Sequence, residues 1–211
     1  MKKAVLVCNG NINSKYLYAN IKKGDYLIAV DGGANKLVKT IFTPDLIIGD
    51  MDSINKEAKK KFRKVRQIVF PVEKNELDLE LAIDYCLKQK FNEIIFLGMV
   101  GSRLDMNLMN VFALEKIPEK INARIIHLNQ EIFLIRKSKT LQGREGERVS
   151  FISLKKDANI SLTGFRYDVQ NFKLKFGTGV GVSNEFKKEK AVISFKDGLI
   201  LCIYFREGAF L

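Results

Sequence analysis

The chain has 211 residues and a 46% hydrophobic content, enough to bury the core of one large domain or two small ones without disulfide or metal staples. No apolar run reaches the roughly 18 residues that a membrane span requires, and residues 4–8 behind Met1-Lys2-Lys3 are too short for a signal peptide, so a cytoplasmic protein with no membrane partner is expected. The formal charge of +12 is mostly scattered lysine, densest at Lys59, Lys60, Lys61, Arg63, Lys64 and Arg66, and reads as a solvated face able to steer a small polyanion, with no nucleic-acid partner expected.

Residues 4–8 form a first buried strand, followed by the loop Asn9-Gly10-Asn11. Ser14 is a candidate cap for a short helix carrying Tyr16, Leu17 and Ile21. A second strand over 26–30 meets Asp31-Gly32-Gly33-Ala34-Asn35, where the glycine pair permits a tight turn close to a ligand and a helix over 34–41 offers its amino terminus. Any strand-to-helix turn can use such a pair.

Residues 44–54 read P-D-L-I-I-G-D-M-D-S-I. The run 46–48 is a third strand that ends in Gly49 and two acids, Asp50 and Asp52. If the backbone stays extended, those side chains stand together, and like charges so close need a cation, a proton or a positive ligand between them. The alternative is that Asp52 or Ser53 caps a helix over 55–62 while Asp50 shapes the turn.

A fourth strand over 67–70 precedes E-K-N-E-L-D-L-E-L-A at residues 73–82. From 76 to 90 the apolar residues Leu79, Ala82, Ile83, Cys86 and Leu87 fall at helical spacing, with Leu79 and Ile83 on the core face. Asp78 then lies in the first turn, where it either complements the helix dipole or projects toward Asp50 and Asp52. The fifth strand, 93–97, leads into G-M-V-G-S-R-L-D at residues 98–105 and a helix over 104–115. Gly101, Ser102 and Arg103 suggest an anion site of loop amides and a forked cation, unless Arg103 only pairs with a neighbouring acid. A sixth strand spans 123–128.

This is the pattern of an α/β domain, residues 1–128: an open, mostly parallel sheet with helices on both faces, binding ligands outside the carboxyl ends of its strands. Beyond it short alternating strands take over, at 133–135, 149–154, 160–162, 172–176, 191–195 and 199–205, so residues 129–211 read as a small all-β sandwich. Lys196-Asp197-Gly198 is expected to join the last pair as a hairpin, with Leu199, Leu201, Ile203 and Phe205 on its buried face. The loop G-T-G-V-G-V-S-N-E at 177–185 either bonds a ligand or turns a corner.

The three cysteines, Cys8, Cys86 and Cys202, each sit in an apolar segment and read as core residues. The single histidine, His127, leaves no His-based zinc site, and a Ser-His-Asp triad lacks support. Neither a P-loop nor a G-x-G-x-x-G turn occurs. What remains is Asp31, Asp50, Asp52, Asp78 and Asp105 with glycine loops and Arg103, a hard-oxygen set suited to Mg²⁺ and metal-assisted phosphoryl chemistry.

The ordered motifs D-G-G-A-N (31–35), P-D-L-I-I-G-D-M-D-S (44–53), E-K-N-E-L-D-L-E-L-A (73–82), G-x-x-G-S-R-x-D (98–105) and G-V-S-N-E (181–185) resemble the thiamine pyrophosphokinase family over nearly the whole chain. The resemblance implies an ATP-dependent transfer of the pyrophosphoryl group to the hydroxyl of thiamine, releasing AMP. It implies Mg²⁺ as cofactor, ATP as co-substrate and a homodimer. By likeness, Asp50, Asp52 and Asp78 hold metal at the phosphate end, and Arg103 is a phosphate ligand. Asp31, Gly32, Gly33, Asn35, Gly101 and Ser102 belong to the nucleotide side, while Asp105, Ser183 and Asn184 belong to the thiamine side. Asn75 and Leu77 depart from the family's E-K-D-x-T-D, and Ser102 and Met106 depart from its G-G-R-x-D-H. These departures leave open a pyrophosphokinase for another hydroxymethyl heterocycle such as a pterin, or a nucleotide or RNA binder without activity.

Overall fold

The computed structural model describes residues 2–206. It divides into two compact units, one through Leu128 and the other from Asn129.

The first unit comprises β1 (Lys3–Val7), α1 (Ser14–Asn20), β2 (Tyr26–Val30), α2 (Gly33–Leu37), β3 (Leu46–Gly49), α3 (Lys56–Lys61), β4 (Arg66–Val69), α4 (Asp78–Lys88), β5 (Glu93–Leu97), α5 (Leu104–Ala113) and β6 (Asn122–His127). Its strands are all parallel, in the order β6-β5-β1-β2-β3-β4. The chain therefore builds outward from β1 to β4 and then returns to lay β5 against the other edge of β1. That reversal opens a crevice beyond the carboxyl ends of β1 and β5.

The unbroken apolar strands follow from burial on both faces. Val5, Val7, Leu27, Ala29 and Ile47 pack on Leu17, Leu37, Ala58 and Phe62 from α1 to α3. Alternate residues such as Leu6, Ile28 and Ile48 are equally buried, and α4 packs against β2 and β3 with Leu79 and Ile83 inward. The helix starts are set by side chains other than those expected. Asn13, not Ser14, caps α1, its Oδ1 accepting from Tyr16 N–H at 2.9 Å. Asn55, not Asp52 or Ser53, caps α3, its Oδ1 accepting from Ala58 N–H at 2.8 Å. All three cysteines are buried, and burial pushes the Cys8 and Cys86 thiols up to about 12.

The second unit comprises β7 (Gln130–Ile135), β8 (Lys139–Gln142), β9 (Arg148–Ser153), β10 (Ala158–Thr163), β11 (Val169–Leu174), β12 (Asn184–Glu185), β13 (Lys190–Phe195) and β14 (Ile200–Phe205). Strands β12-β9-β14-β7 and β11-β10-β13-β8 form the two antiparallel layers of a sandwich. Between them lie Phe151, Phe165, Phe186 and Tyr204, with successive ring centroids 5.4, 5.2 and 5.2 Å apart. The Tyr204 hydroxyl donates to the buried Glu147 carboxylate, which also accepts from Arg144 N–H at 2.8 Å.

The expected terminal hairpin is not formed. β13 pairs with β10 and β8, whereas β14 pairs with β7 and β9, so the turn at Gly198 (φ +112°) carries the chain from one layer to the other. The inward face of β14 is also the opposite one: Ile200, Cys202 and Tyr204 enter the sandwich core. Leu201 is buried as well, so hydrophobicity alone did not distinguish the two faces of this central strand.

Leu77 is the N-cap of α4 and supplies no side-chain acceptor, although Glu80 Oε2 accepts from the Leu77 N–H at 2.9 Å. Only the reciprocal half of a capping box is present. Leu77→Thr completes it and is expected to stabilise the fold by about 0.5–1 kcal/mol. A raised thermal midpoint checks this; a lowered one would show that apolar contacts of Leu77 outweigh the missing cap.

Candidate active site

Three strand and helix ends deliver carboxylates to one place. Asp31 follows β2, Asp50 follows β3 and Asp78 opens α4, and one carboxylate oxygen of each lies within 4.8 Å of the others. Gly49 makes this approach possible: its φ is +149°, and a Cβ there would lie 2.8 Å from Asp31 Cβ and 3.2 Å from Asp78 Cγ. Asp31 itself takes a left-handed φ of 43°, uncommon for a non-glycine residue.

Lys74 lies among these acids. Its Nζ donates to Asp50 Oδ2 at 3.0 Å and lies 3.0 Å from Asp78 Oδ1, where it makes an ion pair outside hydrogen-bond geometry. Desolvation pushes the Asp50 carboxyl up, but the Lys74 and Asp52 hydrogen bonds and the Lys74 charge outweigh it and hold it below its ordinary range. At Asp78 desolvation prevails: together with the Asp50 and Asp31 charges it raises the carboxyl despite Lys74. Asp31 Oδ1 is buried with no hydrogen-bond partner. An unpartnered buried oxygen beside two further carboxylates, with no nitrogen or sulfur ligand, fits a hard divalent cation.

The group borders a cavity of about 350 Å³ lined by Asn9 and Gly10 beyond β1, Asp31, Ser53, Leu77, Asp78, Met99, and residues 101–103 with Met106. It lies at the crevice between β1 and β5. The loop after β5 is held by side chains that motif reading passed over. Asn107 Oδ1 accepts from Gly101 N–H at 2.8 Å, its Nδ2 donates to Gly101 O at 2.9 Å, and Asn110 donates to Met99 O at 2.7 Å. Two asparagines on the helix that follows the glycine turn, Asn107 and Asn110, were the available signal.

Asp52 does not join Asp50 and Asp78 in the carboxylate group. Met51 has a φ of 68°, so the extended alternation breaks, and Asp52 is exposed with Oδ1 accepting from the Ser53 hydroxyl at 2.8 Å. Gly32, Gly33 and Asn35 lie outside the cavity. Gly33 is packed so tightly that a Cβ would meet Val7 O at 1.9 Å, and Asn35 donates to Ser53 O at 2.8 Å and accepts from Asn55 N–H at 2.9 Å, tying α2 to the next loop. The Gly101 amide is already bonded to Asn107, so it is not a free anion donor. Ser102 and Arg103 line the cavity. Arg103 is paired to Asp105 at 2.5 Å with side chains 71% and 64% exposed, and each stabilises the other's charge through that hydrogen bond.

In the second unit Ser183 has a φ of 62° and an exposed side chain, and its N–H donates to Ser150 Oγ at 3.1 Å. Asn184 is buried, with its amide spent on backbone: it donates to Tyr167 O and accepts from the N–H groups of Tyr167 and Glu185, at 3.0, 3.0 and 2.9 Å. These bonds tie the loop to residue 167 and hold the side chain inward. His127 is half-buried at the end of β6, and burial lowers its imidazole pKa.

Residues 18–127 match the family model of the thiamin pyrophosphokinase catalytic domain, and residues 132–200 match that of the thiamin pyrophosphokinase vitamin B1 binding domain. The chain is 30% identical over 182 residues to thiamine pyrophosphokinase of Bacillus subtilis, covering 83% of this chain and 85% of that one. It is 26% identical to thiamin pyrophosphokinase 1 of Caenorhabditis elegans, covering 86% and 79%. The crystal structure of the Bacillus subtilis enzyme superposes with a TM-score of 0.86 at 27% identity over 98% of this chain and 100% of that chain. Thiamin pyrophosphokinase from Candida albicans shares the fold, with a TM-score of 0.82 at 20% identity over 97% and 89%. Two successive domain matches and a full-length structural likeness place the chain in one group: it belongs to the thiamin pyrophosphokinase family.

Proposed function

We propose that this chain transfers the pyrophosphoryl group of ATP to the hydroxyl of thiamine, giving thiamine diphosphate and AMP. The observation that carries the reading is the Asp31, Asp50 and Asp78 group bordering the cavity, in a chain of this family. Asp31, Asp50 and Asp78 would hold Mg²⁺, which supplies charge neutralisation for the polyphosphate. Asp52, two residues beyond Asp50, donates its backbone N–H to Asp50 Oδ1 at 3.2 Å and so orients that carboxylate.

The thiamine oxygen attacks the β-phosphorus, the bond to the bridging oxygen of AMP breaks, and the hydroxyl proton passes to a carboxylate. Positioning and charge neutralisation carry most of such a reaction. Arg103, exposed at the start of α5, turns from Asp105 to a phosphate as the nucleotide enters. Asp105 is then released to accept the hydroxyl proton. The Ser183 hydroxyl, exposed beside the glycine loop, is a contact for thiamine in the domain matched as vitamin B1 binding.

A homodimer accompanies this reading. Leu104, Leu108, Met109 and Phe112 on α5 are 71, 49, 47 and 47% exposed, an apolar row beside Arg103 and Asp105 that suits a second copy. Among the described residues no helix is long and apolar enough to cross a membrane.

Supplied with ATP, Mg²⁺ and thiamine, the protein is expected to release AMP, measured by chromatography. Release of ADP rejects the reading, and turnover of a hydroxymethyl pterin in preference to thiamine would assign the departures at Leu77 and Met106 to acceptor choice. Asp50→Asn and Asp78→Asn are expected to lower kcat roughly 100-fold or more, the scale of removing one electrostatic contact to the transition state. Asp52→Asn, outside the carboxylate group, is expected to cost about tenfold or less. An equal loss in all three would place Asp52 among the ligands. For the dimer, light scattering is expected to give twice the chain mass, falling to a single chain in the double variant Leu108→Lys, Phe112→Lys; an unchanged mass assigns the interface elsewhere.

A further inference from the structure

Lys74 has no part in the roles above, yet its ammonium stands where cation charge is most needed. Nζ lies 3.0 Å from oxygens of both Asp50 and Asp78 and 3.2 Å from the Pro71 carbonyl oxygen, and only 12% of the side chain is exposed. Asp31 Oδ1, in the same group, has no hydrogen-bond partner. Lys74 thus neutralises two of the three acids and leaves the third without a donor.

A hard divalent ion requires carboxylate oxygens at about 2.0–2.1 Å. An ammonium 3.0 Å from the Asp50 and Asp78 oxygens occupies the space and the charge balance that such an ion needs. The two cations exclude each other by sterics and by repulsion. Nor does an expelled ammonium stay unpaired in a largely buried position, because an uncompensated charge there is costly. The long flexible lysine stem lets the head move several ångströms while the backbone stays in place. A polyphosphate arriving with the metal provides the new partner.

We infer that Lys74 is the resident counter-ion of the carboxylate group, displaced from Asp50 and Asp78 onto phosphate when metal and nucleotide bind together. The inference rests on the reading of Asp31, Asp50 and Asp78 as the metal site. It makes Lys74 a positioning residue with two stations. It also makes metal and nucleotide binding mutually dependent, because the nucleotide phosphate relieves the cost of evicting the lysine.

The test is calorimetric titration of Mg²⁺ into the full chain, with and without a non-hydrolysable ATP analogue, for the parent protein and Lys74→Met. The parent is expected to bind Mg²⁺ at least about tenfold more tightly when the analogue is present. Lys74→Met is expected to bind Mg²⁺ alone about tenfold more tightly than the parent, and to gain less from the analogue. Its thermal midpoint in EDTA is expected to fall below the parent's and to recover with Mg²⁺. A merely structural lysine would weaken metal binding when removed, so equal or weaker nucleotide-free affinity in a folded Lys74→Met overturns the inference. If that variant does not fold with or without Mg²⁺, Lys74→Gln is judged by the same affinities. Parent protein that takes up no Mg²⁺ even with the analogue removes the metal-site reading and this inference together; parent binding with no gain in the variant removes the Lys74 role alone.

Discussion

The constraint on which this molecule depends is the mutual repulsion of Asp31, Asp50 and Asp78, whose oxygens lie within 4.8 Å of each other in a place of low exposure. Carboxylates brought so close raise one another's proton affinity unless cations intervene. Asp50 and Asp78 divide that burden unequally: against desolvation, Lys74 and the Asp52 amide hold Asp50 below its ordinary pKa, while desolvation and the charges of both other acids raise Asp78 despite Lys74. The site therefore keeps negative charge concentrated without a lone buried ion.

The fold imposes this concentration through ends of elements. Parallel strands direct their carboxyl termini to one edge, and the return of the chain from β4 to β5 opens that edge between β1 and β5. Backbone strain completes the arrangement at two neighbouring residues, Asp31 in a left-handed conformation and Gly49 with no room for a Cβ. The strands are buried on both faces, and Asp31 and Gly49 lie at their last hydrogen bonds, Asp31 N–H donating to Ile48 O at 2.8 Å and Gly49 O accepting from Phe70 N–H at 3.0 Å.

Both cations at the site are already paired with its own acids, Lys74 with Asp50 and Asp78, and Arg103 with Asp105. The two pairs differ in exposure. Lys74 is largely buried, so its pairing is electrostatically consequential; the Arg103 pair is mostly solvated and easily exchanged for a phosphate. The second unit, taken by itself, displays a glycine loop fixed by Asn184 with Ser183 exposed at its end.

Much of this was legible from residue order. Unbroken apolar runs such as 46–48 and 94–97 specify strands buried on both sides, the spacing of Leu79, Ile83 and Cys86 specifies the inward face of α4, and alternating short strands after residue 128 specify a β sandwich. Acids after successive strands point to one edge, because parallel strands share a direction. Which acids meet there was not legible. Asp52 falls outside since one residue, Met51, turns left-handed, and Asp31 enters since β2 lies beside β3; neither a torsion nor a neighbour in the sheet is written in local spacing. Tertiary structure alone likewise decided that Asn35 and Asn184 spend their amides on backbone, that β13 and β14 lie in different layers, and that Lys74 reaches two carboxylates at once. Periodicity records which face of an element avoids water, whereas the pairing of polar side chains depends on how distant elements are brought together.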